Sequence, residues 1–493
     1  MQAFSLHTCS GRKYYESAAE AVKDVVDGNT LLVGGFGLCG IPENLIQAVL
    51  DNGAKNLTIV SNECGTNDFG LGLLLRERRV KRVLASFIGS NSIFEKQYLS
   101  GDLELKLVPQ GSLAERLRAG GAGIPAFYTP TGVGTLVEQG GLPILFDKNG
   151  KDVKIASPMR DTRVFNGRRY ILEEAIHGDF ALVKCYKADK AGNLVFHQTA
   201  RNFNPDCAMA SGCTIAEADH VVETGELKPD EIHLPGIFVH RVIQGVQEEK
   251  RIEKLTLNTG GEMKIPAKNE AQRQQRLKIT QRATKEIKDG MYVNLGIGIP
   301  TLCANFIPGE MDVFIHSENG LLGMGPYPKP GEEDPDLINA GKETVTVRKG
   351  GVFIDSHTAF NLIRGAHLDL SILGGLQVSR YGDLANFMIP GVMAKGIGGA
   401  MDLCAGIPRI VVTMTHSSKH GDYKLVNECS LPLTGPRCVK RVITDLAVFD
   451  FTKDGPLLIE LSKDTNIEEV RSKTQFDFRI VPGKIPVMED YKP

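Results

Sequence analysis

The chain has 493 residues, 42% apolar and 24% charged, the balance of a water-soluble protein with side chains enough for more than one core. Lys and Arg number 57 against 59 Asp and Glu, and the net charge of −2 favours neither nucleic acid nor an anionic membrane as a partner. The ten cysteines form no Cys-x-x-Cys pair and no apolar run reaches roughly 18 residues, which argues against a disulfide framework, a thiol redox motif and a membrane-spanning helix.

In chain order, residues 1–15 carry Ser5, Ser10, Arg12 and Lys13, with no acid before Glu16. Two readings fit, a short organellar targeting segment and a frayed terminus. Residues 27–42 open with Asp27-Gly28, run through Leu31-Leu32-Val33 and turn at Gly34-Gly35-Phe36-Gly37-Leu38-Cys39-Gly40 into Ile41-Pro42. This pattern predicts a strand, a glycine turn and a helix opened by proline. Gly35, Gly37 and Gly40 match a dinucleotide fingerprint in letters. The acid expected about twenty positions later would be Glu63, however, which stands in the loop-like run Ser61-Asn62-Glu63-Cys64-Gly65. A turn that binds phosphate or carboxylate, or one that only reverses the chain, fits as well.

Apolar runs at 57–60, 82–85, 345–347 and 410–413 read as strands between helical patterns. Such alternation predicts an α/β fold with mainly parallel sheets, and ligands then bind beyond the carboxyl ends of strands. Residues 244–281 are rich in Lys, Glu, Arg and Gln and read as a solvated connector, with a helix over 270–288.

The second half echoes the first. Asp289-Gly290, an apolar stretch, Gly296-Ile297-Gly298 and Ile299-Pro300 repeat the plan of residues 27–42. Asp179 is followed by an apolar run and Gly192-Asn193-Leu194; Asp369 is followed by an apolar run and Gly382-Asp383-Leu384. Two echoes in one order predict two similar open α/β lobes fused in one chain. Their expected limits are 1–250 and 271–493, joined by a linker at 251–270.

No metal site is evident. His416 and His420 have helical spacing, but the run Ser417-Ser418-Lys419-His420-Gly421 reads as a solvated polar loop.

Glu318 is the candidate for chemistry. It stands in Ile315-His316-Ser317-Glu318-Asn319-Gly320, a carboxylate at the end of an apolar run entering a glycine turn. An ordinary Glu, with a pKa of about 4.3, is ionised at neutral pH and needs no base to act as a nucleophile. It can attack an activated acyl group such as a thioester, giving an anhydride that must be kept from water. A buried carboxylate that caps a turn fits the same residues.

The Ser317-Glu318-Asn319-Gly320 run and the motif at 27–42 resemble the two signatures of the family I CoA transferases. Gln110-Gly111-Ser112-Leu113-Ala114-Glu115-Arg116, Gly341-Lys342-Glu343-Thr344 and Gly396-Ile397-Gly398-Gly399-Ala400-Met401-Asp402 extend the resemblance over nearly the whole chain. It implies a ping-pong transfer of CoA from succinyl-CoA to acetoacetate through a glutamyl-CoA thioester on Glu318. The CoA thioester is substrate, and no metal or redox cofactor is implied. Asn62 and the backbone N–H of Gly399 are implied as oxyanion donors, Gln110 as a contact to the substrate carboxylate, and Asn294 and Lys342 as CoA-side contacts. A homodimer, small carboxylic acids as partners and a mitochondrial matrix location are also implied. Single-chain mitochondrial members of the family have Asn-Asn where this chain has Asn62-Glu63, which leaves open which acid is accepted. An acetate:succinate or other short-chain acid CoA transferase, and a non-catalytic CoA- or nucleotide-binding protein, are the alternatives.

Overall fold

The computed structural model describes residues 13–148, 150, 152–246, 250–260, 265–390 and 393–488. Most of the segment read as a possible targeting sequence, residues 1–12, lies outside them. Tyr14–Tyr15, just beyond it, pairs in parallel with Arg241–Gln244. Among the described residues no helix is long and apolar enough to cross a membrane.

Two large sheets organise the chain. The first runs Tyr14–Tyr15, Arg241–Gln244, Ser211–Val222, Gly178–Asp189, Thr30–Val33, Leu57–Val60, Val80–Ala85 and Glu104–Leu107, parallel along this path, with Leu194–Val195 added antiparallel to Gly178–Asp189. The second has a parallel centre of Phe314–Ser317, Tyr292–Leu295, Leu370–Gly374, Ile410–Thr413 and Val439–Ile443, with antiparallel strands on both sides.

The strands are apolar on both faces because both faces are covered. Leu31 and Val33 enter one core while Leu32 enters the other, as a two-residue period requires. In the second sheet Leu373 and Leu370 divide between two cores in the same way.

The echoes in the sequence recur as hydrogen bonds. Asp179 Oδ2 accepts from the N–H of Thr30 at 2.7 Å, and Asp369 Oδ2 accepts from the N–H of Tyr292 at 2.8 Å. Each N–H opens the strand before the glycine turn. Gly28 donates to Lys55 O and Gly290 to Asp312 O, both at 2.9 Å. Gly34 donates to Leu182 O at 3.1 Å, and Gly296 to Ile372 O at 2.9 Å. The two lobes place equivalent donors around the strand before the glycine turn, with its parallel neighbours on either side.

Four local expectations are corrected. Residues 345–346 are not strand: Val345 donates to Leu337 O and Thr346 to Pro326 O, so their backbone is held by loops and the strand Val347–Phe353 starts later. Pro300 opens a 3₁₀ turn, Pro300–Phe306, where Pro42 leads into the α-helix Glu43–Asn52; Pro308 disfavours helical geometry at Ile307 and stops the turn. His416 is not solvated but buried, bonded to Thr444 and Thr474. The connector is only partly solvated. Lys250 pairs with Asp219 and Asp336, and Arg251 lies 4.4 Å over the ring of Phe69. Beyond it the helix Glu270–Thr284 begins at Asn269, whose side chain accepts from the N–H of Gln272.

The lobes meet along residues 86–88 and 395–398. Ile88 donates to Lys395 O at 2.8 Å and Gly398 donates to Ser86 O at 3.0 Å. Gly396, at φ +110°, leaves no room for a side chain: a Cβ there would lie 2.6 Å from Phe87 Cα.

Candidate active site

Glu318 follows the last residue of the strand Phe314–Ser317, and Gly320 returns the chain into Leu321–Met324. Gly320 has φ +105° and backs onto Ile354 O, which a Cβ would meet at 2.1 Å. The neighbours of Glu318 fix the turn. Ser317 Oγ donates to Asn319 Oδ1 at 2.6 Å and accepts from the N–H of Ala340, while Asn319 Nδ2 donates to Ile338 O. The Glu318 carboxylate itself has no hydrogen-bond or ion-pair partner among the described residues.

Gly399 faces that carboxylate. A methyl group at Gly399 would lie 2.5 Å from Glu318 Oε2 and 3.2 Å from the ring of Phe360. Gly399 stands just before the helix Ala400–Gly406, which carries Asp402. Asp402 is buried and accepts from the N–H of Gly111 at 2.9 Å and from Thr131 Oγ1 at 2.9 Å, both in the other lobe. Gln110, before Gly111, donates its N–H to Gly398 O at 2.9 Å. Its side-chain amide is buried and Nε2 has no partner.

Burial, and then the charge of Asp402, push Glu318 up to about 7. This corrects the expectation of an ordinary, fully ionised Glu. A carboxylate that gives up its proton less readily is also more basic and more nucleophilic once ionised. His316, beneath it in the strand, adds no positive charge, because burial pulls it down to about 4.

Asn62 lies beyond the strand Leu57–Val60. Its Oδ1 accepts from Ser86 Oγ at 2.5 Å, and its backbone O accepts from Ser86 and Phe87 N–H. Ser86 O in turn receives Gly398 N–H, so Asn62 is two hydrogen bonds from the loop that holds Gly399. Lys342 is buried and ion-paired to Glu63 and Glu253. Burial opposes its charge, but Glu63 and then Glu253 hold it above its usual value. Asn294 is buried in the second sheet, where Nδ2 faces His316 and Oδ1 accepts from Ser371 Oγ at 3.3 Å.

The structure therefore joins Glu318, Gly399 and Gln110 at one interlobe contact and Asn62 with Lys342 at an adjoining one. Asn294 bonds within its own sheet instead. Asp402, Glu253 and Ser86 have no functional reading from sequence. Asp402 ends the glycine-rich run 396–402, which could have marked it, while Glu253 in a charged connector and Ser86 at a strand end carry no local signal. His197, Asp334 and Asp336 bring one possible metal-ligand atom each within 4.8 Å of one another, but Lys250 and His197 already bond Asp336. A surface cleft around Lys23, Glu43, Gln47 and Asp68 lies elsewhere and shares no residue with the Glu318 cluster.

Two fused α/β lobes with a carboxylate between them define the class. Residues 15–245 and 276–473 match the Coenzyme A transferase family, and the chain belongs to it. It is 51% identical over 479 residues to the mitochondrial succinyl-CoA:3-ketoacid coenzyme A transferase 2 of Homo sapiens, covering 97% of this chain and 92% of that protein. It is 55% identical over 245 residues to one subunit of the probable succinyl-CoA:3-ketoacid coenzyme A transferase of Bacillus subtilis, covering 50% of this chain and 95% of that polypeptide. The apoenzyme of an acyl-CoA transferase from Escherichia coli O157:H7 shares the fold, with a TM-score of 0.78 at 23% identity over 98% of this chain and 96% of that one.

Proposed function

We propose that this chain transfers CoA from succinyl-CoA to acetoacetate through a glutamyl-CoA thioester on Glu318. The observation that carries the reading is the unpartnered Glu318 carboxylate against the backbone of Gly399. The names of the human relative and of its mouse counterpart support the substrates.

The Glu318 oxygen attacks the thioester carbonyl, and the tetrahedral oxyanion collapses to an acyl-glutamyl anhydride and CoA thiolate. The thiolate then attacks the glutamyl carbonyl, releasing succinate and leaving CoA on Glu318. Acetoacetate runs the two steps in reverse and departs as acetoacetyl-CoA. Asn62 Nδ2 and the N–H of Gly399 are the oxyanion donors, each worth roughly 10²–10³ in rate. The buried, unfilled Nε2 of Gln110 meets the acid, and Lys342 and Asn294 serve the CoA side. The energy of remote CoA contacts is used at the reacting carbonyl. The anhydride must be kept from water while CoA and the acid exchange.

The lobes span 1–250 and 271–493, a division supported by the break in the family match between 245 and 276. The mitochondrial matrix is its location, as the relatives' names suggest. A homodimer is supported by the exposed apolar side chains of Tyr128, Val153, Ile155, Met159, Val164 and Phe165.

Intact-mass measurement after treatment with succinyl-CoA tests the reaction. A CoA adduct mapped to Glu318 is expected. A chain that binds CoA but stays unmodified would leave only the binding-protein reading.

A further inference from the structure

Glu63 follows Asn62 in the loop beyond the strand Leu57–Val60. It is 4% exposed, and its carboxylate is fully engaged. Oε1 accepts from the N–H of Gly37 at 2.8 Å and lies 3.4 Å from Asn62 Nδ2, and Oε2 is ion-paired to Lys342. Glu253, from the connector, adds a second carboxylate to Lys342 at 3.3 Å and accepts from Ser90 Oγ. Gly37 and Gly89 leave the room: a Cβ at Gly89 would lie 2.7 Å from Glu63 Oε2, and one at Gly37 2.8 Å from Glu253 Oε2. Lys342 holds φ +67°, a strained value for a lysine, in the midst of these contacts.

Two carboxylates around one ammonium give this cluster a net charge of −1 when all three are ionised. Lys342 is therefore a counter-charge already in use, with no free positive charge to offer a substrate carboxylate. The cluster touches Asn62, which the proposed reaction places on the reacting carbonyl.

We propose that Glu63 is a specificity-determining residue, a fixed negative charge beside the reacting carbonyl that disfavours acyl groups with an anionic tail relative to those with a neutral one. The inference rests on the assignment of Asn62 to the carbonyl. Succinyl-CoA and succinate share one transition state and carry the same penalty, so the overall equilibrium is untouched. The acetoacetate half-reaction, whose acyl tail is a neutral ketone, is spared.

Ping-pong kinetics give kcat/KM separately for the two half-reactions. In Glu63→Gln the ratio of the succinyl-CoA value to the acetoacetate value is expected to rise at least fivefold. Glu63→Asp, which keeps the charge, is expected to stay within twofold of wild type. Lys342→Met strips the counter-charge and is expected to move the ratio the opposite way to Glu63→Gln. A purely structural role would lower both half-reactions alike. An unchanged ratio in Glu63→Gln, or a shift of the same sign in Lys342→Met, would overturn the proposal. If Glu63→Gln does not fold, Glu63→Asn, which removes the same charge, decides in its place by the same rise in the ratio. Failure of the wild-type enzyme to use succinyl-CoA at all would instead overturn the proposed reaction.

Discussion

The N–H of Gly111 donates to Asp402 Oδ2 at 2.9 Å, a bond that crosses from one lobe to the other. Gly111 follows Gln110 and Asp402 follows Gly399 by three residues, so this one bond holds in register Gln110 and Gly399, the proposed substrate-side amide and oxyanion donor. Burial raises Asp402 above the usual carboxylate range despite the nearby Arg364, and its charge in turn raises Glu318.

Asp402→Asn separates these effects. Glu318 must be ionised to attack, so kcat/KM for the acyl-CoA should rise with pH through about 7 in the wild type. Removing the like charge of Asp402 is expected to move that limb to lower pH. The amide also weakens the contacts to Gly111 and Thr131, at a stability cost of about 1–3 kcal/mol. A pH–rate profile with thermal unfolding checks both, and a limb that stays in place would remove Asp402 from control of Glu318.

Glu318→Gln is expected to lower transfer by at least about 1000-fold with the fold intact, because an amide forms no anhydride. Steady-state assay and the loss of the mass adduct give the result. Near-normal turnover would assign the nucleophile to another group.

Gly399→Ala tests the close approach. The added methyl would lie 2.5 Å from Glu318 Oε2, so the carboxylate or the loop must move. A fall in kcat of about 100-fold is expected, the order of one lost oxyanion donor, with a smaller change in KM. Equal loss in both would point to a binding defect instead.

His416 supplies a stability test away from the site. Burial pulls it down to about 4, whereas the unfolded chain titrates near 6.5. The unfolded state therefore binds the extra proton first, and stability is lost as pH falls from about 6.5 to about 4, by at most about 3 kcal/mol. His416→Gln, which retains hydrogen-bonding capacity toward Thr444 and Thr474, is expected to lose less stability over that window in denaturant titrations. Parallel curves for the two proteins would exclude this role.

What was legible in the sequence is what local chemistry encodes. Strands such as Leu57–Val60 announce themselves by apolar β-branched runs, and the repeated Asp-Gly, strand and glycine-turn plan announces the duplicated lobes. Glu318 stood out because a carboxylate entering Asn319-Gly320 has no surface pattern to belong to. Residues 345–346 misled because an apolar pair reads as strand whichever loops hold its backbone.

The sequence by itself determined the two-lobed α/β plan, the family and the carboxylate proposed to react, since each rests on short-range periodicity and contiguous motifs. Only the tertiary structure decided how acidic Glu318 is and what Lys342 does. Asp402 lies 84 residues beyond Glu318 in the chain, and Lys342 meets Glu63 across a separation of 279 residues. Burial and charge act through space, and no local pattern along the chain records which groups folding will bring within their reach.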